Sequence, residues 1–426
     1  MNAAVLTAAV EFTEHRLVTP LVLSSGTISE ATEARATVTV RAGNREAVGK
    51  GAILLSDLWA WPGGGAGHRD KDSGLRSICE RLARDLGDFC GGEPAHPLEL
   101  GLRLHQRACE EEMPGLAGEA PVLARAMCAS PFDAAIHDAA GMALNRSAFA
   151  LYDDDLPLPS ADRHFAGGKA ARAIRGVIEP PVTELEAWWI VGAQDSVAKD
   201  VRPAIERGGF RCFKLKLHGR DAAADVRRTA ELHRELAELG VRGMRLTVDT
   251  NEANPDAESV REYLERLRAA APEAFAALVY LEQPTSRRIE KAAFDWKRVC
   301  ALKPVLIDEG LTGLEVLPLA KQQGWAGLAL KTCKGHSLAL TAAAWAKENG
   351  MLVALQDLTN PGYAAIHAAL LASRVRTLNG VELNSPQFIP AANAPWLPRL
   401  GGLFRPAGGV HRLHGIVDAP GLGSTL

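Results

Sequence analysis

Two lysines, Lys214 and Lys216, lie within a short apolar segment that has the pattern of a β-strand. Because side chains alternate between the two faces of a strand, both amines point to the same side. A like charge and partial burial both disfavour protonation, so Lys216 could act as a general base, for which catalytic lysines reach pKa values of about 7 to 8. Taken alone, the pair is a weak signal, because Lys-x-Lys is common on solvated strand edges.

Carboxylates end three further apolar segments that follow along the chain. They are Asp249, Glu282 and the neighbouring pair Asp308 and Glu309. Three acids on adjacent strands would repel one another strongly unless a cation lay between them. A hard divalent ion with oxygen ligands, Mg²⁺ before Mn²⁺, is the simplest resolution. The alternation of side chains does not by itself choose between Asp308 and Glu309.

Another lysine, Lys331, ends a later apolar segment, and Lys334 is close enough in sequence to compete with it. A surface lysine at the start of a helix would be unfavourable against the helix dipole, which weakens the structural explanation of Lys331. If Lys216 and Lys331 end opposed strands of one ring, the two amines would flank a substrate from opposite faces. Such a pair could remove a proton on one face and return it on the other.

The elements that would position these residues are short apolar segments that alternate with amphipathic helices. They follow a linker rich in Pro, Gly and charge at about 156–184, and this alternation predicts parallel strands. The candidate strands are 185–191, 211–217, 244–249, 277–282, 304–308, 327–331, 352–356 and 377–382. Gly240, Gly324 and Gly350 should close the intervening helices. Eight units predict a (β/α)₈-type barrel, in which chemistry occurs at the carboxyl ends of the strands.

The part of the chain before the linker has a different pattern. Residues 36–40 and 48–55 alternate around the turn-like pair Gly43 and Asn44, which predicts an antiparallel strand meander. Residues 72–145 have helical spacing, with Gly141 expected to terminate the last helix and His137 expected to be structural. The glycine-rich stretch 62–65 lacks the Lys-Ser/Thr of a phosphate loop, so we expect a surface insertion.

The composition excludes several classes of function. A chain of 426 residues exceeds the usual size of one core, so two domains are expected. Its 48 basic and 51 acidic residues give a formal charge of −3, which predicts binding to neither nucleic acid nor membrane and favours a small-molecule partner. Seven scattered cysteines without Cys-x-x-Cys predict no disulfide framework or zinc site and favour a cytoplasmic location. The first ten residues lack the basic leader of a secretory signal, and no segment approaches membrane-spanning length.

The strand-end residues form the pattern Lys-x-Lys, Asp-x-Asn, Glu-Gln-Pro, Asp-Glu and Lys, at positions 214–216, 249–251, 282–284, 308–309 and 331. With this pattern the chain resembles the enolase superfamily, and within it the muconate-lactonizing-enzyme subgroup of the mandelate racemase/muconate lactonizing enzyme family. The resemblance covers nearly the whole chain. It implies an α/β fold, a (β/α)₇β modified TIM barrel over 185–384. An α+β N-terminal capping domain would span 1–160 and be completed by 385–426.

The resemblance also implies roles for individual residues. The implied metal ligands are Asp249, Glu282 and Asp308. The implied acid/base pair and the lysine supporting the substrate carboxylate are Lys216, Lys331 and Lys214. Further candidates for substrate contact are Asn251, Glu309, Asp357, Glu382 and the loop residues Ser25 and Trp59.

Two branches of the superfamily differ from this chain at the last strands. Mandelate racemases and sugar-acid dehydratases place a histidine on strand seven, where this chain has Gln356 and Asp357. Dipeptide epimerases carry Asp-x-Asp on strand eight, where this chain has Glu382 and Asn384. The missing histidine makes the mandelate racemases and sugar-acid dehydratases less favoured. At strand eight, Glu382 is left as the one acid.

The activity that the resemblance implies is removal of the α proton of a carboxylate substrate to give a metal-stabilised enolate. Racemisation, epimerisation or cycloisomerisation by two opposed lysines would follow. A lyase or dehydratase that uses the same enolate chemistry on a hydroxy acid is one alternative, and a non-catalytic barrel with a vestigial site is another. We expect a homo-oligomer, and the sequence does not identify the substrate.

Overall fold

A computed structural model describes residues 2–23, 26–153, 155–292 and 294–425. Within them lie a three-stranded antiparallel sheet near the amino terminus and a seven-stranded parallel sheet in the second half of the chain. A third, two-stranded sheet joins a segment just before the parallel strands to the carboxyl-terminal region. Among the described helices, none combines the length and the apolar character that a bilayer-spanning helix needs.

The amino-terminal sheet is a meander of β1 (Ala3–Leu23), β2 (Gly26–Ala42) and β3 (Arg45–Leu55). The predicted strands 36–40 and 48–55 lie in β2 and β3, which confirms the expected meander. Gly43 takes the positive φ of 63° that the turn between them requires. Strand β1 was not predicted. It pairs with β2 along nearly its whole length, so that the β1–β2 hairpin extends well past the end of β3.

Helices pack against this meander and connect it to the parallel sheet. They are α1 (Asp57–Ala60), α2 (His68–Arg84), α3 (Leu86–Phe89), α4 (Pro97–Glu110), α5 (Val122–Leu144), α6 (Pro159–Asp162) and α7 (Ala170–Val177), with 3₁₀ turns at Gly115–Glu119 and Ala148–Ala150. Helix α5 packs so closely on β3 that a Cβ at Gly51 would stand 2.0 Å from the carbonyl oxygen of Pro131. His137 of α5 is fully buried and bonds to Ser337 Oγ at 2.9 Å, as a structural residue would.

The prediction that Gly141 terminates a helix is wrong. Helix α5 continues to Leu144, and Asn145 takes the left-handed conformation that closes it. The glycine at position 141 has a different physical explanation, since a Cβ there would lie 2.5 Å from the Cα of Gly421. A residue without a side chain is therefore needed where the carboxyl-terminal segment crosses α5.

The parallel sheet contains its strands in sequence order. They are β5 (Trp188–Val191), β6 (Cys212–Lys216), β7 (Arg245–Asp249), β8 (Leu278–Glu282), β9 (Val305–Ile307), β10 (Gly327–Lys331) and β11 (Leu352–Gln356). The predicted strand 185–191 is divided between β4 (Glu184–Glu186) and β5. Strand β4 pairs antiparallel with β12 (Val410–Arg412). The six strands predicted between 211 and 356 are confirmed.

The prediction of a continuous eighth strand over 377–382 is wrong. Only Val381 and Glu382 form isolated parallel bridges, with Ala187 and Gln356 respectively. Gly380 lies so close to Glu186 that a Cβ would stand 2.7 Å from the backbone nitrogen of Glu186, and its φ of 61° turns the chain there. The two bridges nevertheless lie between the first and the last strands of the sheet.

Helices follow most of the parallel strands and cover the sheet. They are α8 (Arg202–Gly208), α9 (Ala222–Glu238), α10 (Ala257–Ala270), α11 (Pro272–Ala277), α12 (Lys297–Cys300), α13 (Val316–Gln323), α14 (His336–Glu348), α15 (Gly362–Arg374), α16 (Ser385–Phe388) and α17 (Leu397–Phe404), with a π turn at Val197–Val201 and 3₁₀ turns at Thr332–Lys334 and Pro390–Trp396. Gly240, Gly324 and Gly350 have φ of 82°, 84° and 66°, as expected for residues that close α9, α13 and α14.

The inner face of the parallel sheet has its own small core. Tyr280, Leu306, Ala329 and Ala354 pack together there. Because side chains alternate along a strand, the residue two positions after each of these points to the same face. This alternation directs the side chain of Glu282 and its counterparts on the neighbouring strands inward at the carboxyl ends.

Candidate active site

A cavity lies at the carboxyl ends of the parallel strands, next to the β1–β2 hairpin. The predicted site residues that line it are Lys214, Lys216, Asp249, Asn251, Lys331, Asp357, Glu382 and Trp59. Within the described part of the chain, Glu282, Asp308 and Glu309 lie outside this lining and are almost completely buried. Ser25 lies outside the described residues. The structure therefore brings together lysines and acids from six strand ends.

The two lysines of β6 are separated by a carboxylate rather than pressed against each other. Asp249 Oδ2 lies 2.6 Å from Lys216 Nζ and 3.3 Å from Lys214 Nζ. Burial alone would raise the pKa of Asp249, but the charges of the two lysines outweigh it and lower the pKa to about 2. The crowding of two amines does not depress the pKa of Lys214: burial lowers it, but Glu282, Glu382 and Asp249 raise the pKa above its ordinary value.

Asp308 is held between two lysines from the end of β10. Its Oδ2 lies 2.5 Å from Lys331 Nζ, and its Oδ1 lies 2.9 Å from Lys334 Nζ. Burial opposes ionisation of Asp308, but the two ammonium groups more than compensate and lower its pKa. The side-chain oxygen of Gln283 accepts hydrogen bonds from the backbone N–H groups of Asp308 and Gly310, which fixes this loop.

The two candidate lysines at this strand end differ in their surroundings. Lys331 lines the cavity, lies 3.5 Å from Glu282 Oε1 and has the indole ring of Trp59 at 5.1 Å. Lys334 donates to the backbone oxygen of Asp308 at 2.5 Å and is 1% exposed. The pKa of Lys331 is lowered by burial but raised more by Asp308 and Glu282, so that the ammonium form is favoured. Lys334 is therefore a buried anchor of the loop, and Lys331 is the amine at the cavity.

Glu282 occupies the centre of the group. Its Oε2 accepts from Lys214 Nζ at 2.9 Å and from the side-chain amide of Gln356. Its Oε1 is buried and forms no hydrogen bond with a described residue, and Lys331 Nζ lies 3.5 Å from it. Burial raises the pKa of Glu282 to about 7 against the influence of Lys214 and Lys331, and Asp249 and Asp308 add to the increase.

The acids have the donor chemistry that a hard divalent cation needs. Asp249 and Glu282 end β7 and β8, Asp308 follows β9, and all three side chains offer only oxygen. Within the described part of the chain, Glu282 Oε1 accepts no hydrogen bond. Their oxygens are turned toward lysines, and among the described residues no group of three or more acidic, histidine or cysteine side chains has the geometry to hold a metal ion. The residue types thus fit such an ion, whereas the side chains are arranged as ion pairs.

Glu309 lies apart from the lysines that hold Asp308. Its Oε1 accepts from the indole N–H of Trp59 at 3.1 Å, and among the described residues its Oε2 has no hydrogen-bond partner. Burial raises the pKa of Glu309 to about 8, and the charge of Asp308 adds to the shift. The alternation of side chains in the sequence did not choose between Asp308 and Glu309 as the acid of the site. In the structure the two neighbours contact different partners.

The remaining predicted residues surround the cavity. Asn251 donates from its backbone to Asp249 Oδ1 at 2.7 Å, and its side-chain oxygen accepts from Lys216 at 3.2 Å. Glu382 Oε2 lies 3.5 Å from Lys214 Nζ, and its Oε1 accepts from Asn384 at 2.9 Å. Asp357 follows β11, and burial raises its pKa to about 7.

Gln356 and Asn360 are among the polar residues of this region that were not predicted to belong to the site. Gln356 contacts both Glu282 and Lys214, and a polar side chain at the end of an otherwise apolar strand was the available signal. Asn360 bonds to Asp357 and to the backbone of β3. Its role depends on a contact between distant parts of the chain, which no local pattern indicates.

The sequence model of the family described as enolase C-terminal domain-like matches residues 196–426, which is more than half of the chain. The chain belongs to this family, and the expected relationship to the enolase superfamily is confirmed. No curated protein sequence matches the chain.

Several solved structures share the fold over almost the whole chain. A dipeptide epimerase from Enterococcus faecalis V583, complexed with Mg and the dipeptide L-Leu-L-Tyr, is 16% identical and has a TM-score of 0.68, with 99% of each chain covered. A muconate lactonizing enzyme from Pseudomonas fluorescens, complexed with muconolactone, is 19% identical with a TM-score of 0.64, covering 99% of this chain and 96% of the other. An N-succinyl Arg/Lys racemase from Bacillus cereus ATCC 14579 is 17% identical with a TM-score of 0.64, covering 99% and 95%.

Proposed function

We propose that the chain is an isomerase that removes the proton from the carbon next to a substrate carboxylate and returns a proton to the opposite face. The observation that carries this proposal is the placement of Lys216 and Lys331 in one cavity. They end β6 and β10, which are separated by the three strands that bear the candidate acids. The family and the solved structures of the same fold, which include an epimerase and a racemase, support this class of reaction.

The proposed catalytic unit is a (β/α)₇β barrel over 185–384, in which residues 381–382 close the ring between β11 and the segment before β5. The bridges of Val381 and Glu382 support this closure. The amino-terminal part over 1–160, completed by 385–426, would be the capping domain. Hydrogen bonds from Leu54 to Asn360 and from Trp59 to Glu309 join it to the loops at the strand ends.

Asp249, Glu282 and Asp308 are the proposed ligands of a Mg²⁺ ion. When bound, such an ion would supply positive charge beside the substrate carboxylate, where the negative charge of the enolate develops. The solved structures of the epimerase and of an enolase from Bradyrhizobium, described as complexed with magnesium and mandelic acid, are the reason for choosing Mg²⁺. The all-oxygen donor set supports the same choice, and so does Glu282 Oε1, to which no described residue gives a hydrogen bond.

The amines have distinct proposed roles. Lys216 and Lys331 would each hold or accept the moving proton at Nζ, one on each face of the substrate. Lys214, which contacts Asp249, Glu282 and Glu382, would place its charge beside the substrate carboxylate. Trp59 and the apolar side chains of the β1–β2 hairpin would exclude water from the reacting carbon.

The test is exchange of the α proton in heavy water over a panel of acyl amino acids, dipeptides, hydroxy acids and lactones. We expect exchange by the wild-type protein with Mg²⁺, and a loss of about 10²- to 10⁴-fold in Lys216→Ala or Lys331→Ala. Lys321→Ala is the matched control, because Lys321 is an exposed lysine on α13. Unchanged exchange in both site variants contradicts the two-base proposal.

Product analysis in the same incubations distinguishes the reaction classes. Exchange with the substrate mass retained and the stereocentre scrambled supports an isomerase. Loss of water in step with exchange supports a lyase acting through the same enolate. A protein that binds Mg²⁺ but exchanges no member of the panel would favour the non-catalytic barrel.

A further inference from the structure

An acid that the proposed proton transfer does not use lies at the end of β11. Asp357 lines the cavity and is 4% exposed. Its backbone N–H donates to the carbonyl oxygen of Glu382 at 2.9 Å, which fixes the residue to the strand end. Asp249 and Asp308 have ammonium groups as nearest partners, whereas Asp357 is held by neutral N–H groups.

The two oxygens of the Asp357 carboxyl group have different surroundings. Oδ1 accepts from the backbone N–H of Leu358 and from the side-chain amide of Asn360, both at 2.7 Å. Oδ2 is buried, and no residue within the described ranges gives it a hydrogen bond. A buried acceptor without a partner is costly, so a group that donates to Oδ2 would be bound favourably.

The orientation of this carboxyl group is set from the amino-terminal sheet. The side-chain oxygen of Asn360 accepts from the backbone N–H of Leu54 in β3 at 2.7 Å, while its amide donates to Asp357. Asn360 is 1% exposed, so its side chain has little freedom to turn. A single side chain thus ties β3 to the rotamer of Asp357.

The cavity wall contributed by the hairpin, by β3 and by this loop is mostly apolar, with Thr359 as a polar residue of the loop. Leu17, Ile28, Leu54 and Leu358 line it. The Asp357 carboxyl group is therefore a polar group next to apolar surface, an arrangement that selects a ligand by one directed hydrogen bond.

We propose that Asp357 Oδ2 accepts a hydrogen bond from an N–H or O–H group of the substrate, and that the substrate is a carboxylic acid whose substituent is apolar apart from that donor. Asn360 is the positioning residue that holds the Asp357 carboxyl group in its rotamer. This inference rests on the proposed function, since it describes the substrate of the same site.

The experiment compares two pairs of probes that differ only in the donor. The amide pair is N-acetyl-leucine and N-acetyl-N-methyl-leucine, and the hydroxyl pair is mandelate and its O-methyl ether. Affinity is measured by calorimetric titration in the presence of Mg²⁺, and α-proton exchange is followed in parallel. In at least one pair we expect the donor to bind about 10- to 100-fold more tightly than its methylated partner. The pair that shows the difference identifies the donor as amide or hydroxyl.

Substitutions of Asp357 assign that difference to the carboxyl group. Asp357→Leu should abolish it. Asp357→Asn should remove most of it, because the N–H groups of Leu358 and Asn360 would hold the amide oxygen and leave the NH₂ group, which donates but does not accept, in the place of Oδ2. Since Asp357→Asn preserves size and shape, it remains informative if the leucine variant does not fold.

Asn360→Ala should reduce the difference without removing it. Asn393→Ala is the matched control, because Asn393 is a buried asparagine that bonds to Gly362 and Ser385. It should lose stability and keep the discrimination.

Equal affinities within both pairs for the wild-type protein, including no binding by any probe, overturn the assignment. So does a difference that persists in Asp357→Leu. Exchange without discrimination would contradict this inference alone, whereas discrimination without exchange of any probe would contradict the proposed reaction alone.

Discussion

The indole ring of Trp59 lies against the ammonium group of Lys331, with 5.1 Å between the ring centre and Nζ. Trp59 belongs to α1, directly after the amino-terminal meander, and Lys331 ends β10. The indole N–H also donates to Glu309. One aromatic side chain thus contacts an amine and an acid at the strand ends.

Trp59→Leu should reduce kcat/KM by about 3- to 30-fold, because a cation–π contact of a partly desolvated amine contributes about 0.5 to 2 kcal/mol. Trp59→Phe should retain part of the activity, since a ring face remains. Trp61→Leu is the control: Trp61 is also 5% exposed, and its ring lies by Lys71 rather than by a strand-end lysine. A similar loss of kcat/KM in both leucine variants would show that packing, not the contact with Lys331, is responsible.

Mg²⁺ should raise the Tm of the protein. An ion that binds only the folded chain stabilises it by about 2.7 kcal/mol at 100 times its Kd. Asp249→Asn and Glu282→Gln should lose most of this increase. Glu186→Gln should retain it, because Glu186 pairs with Arg245 at the amino end of β7, away from the three acids. A full increase in Tm in both ligand variants contradicts the proposed ligand set.

Glu33 should make the stability of the amino-terminal sheet depend on pH. Burial would raise its pKa, but hydrogen bonds from His15 and Arg35 outweigh it and lower the pKa from the ordinary value of 4.5. Because the folded-state pKa is depressed, the contribution is fully present above about pH 4.5 and is lost as pH falls. Urea unfolding midpoints of the wild type should therefore fall on acidification more than those of Glu33→Gln. Glu30→Gln, at an exposed position of β2, should follow the wild type.

Gly141→Ala should destabilise the protein by about 1 to 3 kcal/mol, although alanine favours a helix, because its Cβ would overlap with Gly421. Gly176→Ala is the matched control in α7, where a Cβ meets nothing within 4 Å. It should be neutral or stabilising by about 0.4 to 1 kcal/mol. Equal Tm values for the two variants would contradict the close crossing of α5 by the carboxyl-terminal segment.

The strands that carry the candidate acids could be predicted because each combines an apolar segment with a polar residue at its end. Asp249 and Glu282 follow such segments directly, and the structure has β7 and β8 ending at these residues. Strand β1 was not predicted from the sequence. Its pairing partner β2 gives it a strand conformation that its own sequence does not strongly indicate.

The ion pairs of the site could not be predicted, because they depend on side-chain directions at the ends of different strands. The lysines of β6 were expected to lower each other's pKa, but Asp249 lies between them. The contact of Lys334 with Asp308 arises from the 3₁₀ turn after β10. The link from Leu54 through Asn360 to Asp357 joins segments about 300 residues apart in sequence.

The most direct test of the two opposed lysines is exchange of each enantiomer separately. Both enantiomers of an acid that the wild type turns over are incubated in heavy water with Lys216→Ala, Lys331→Ala and the control Lys321→Ala. Because each amine faces one side of the substrate, one variant should lose exchange of one enantiomer and the other variant that of its mirror image. If both site variants exchanged both enantiomers at the wild-type rate, the result would contradict the account.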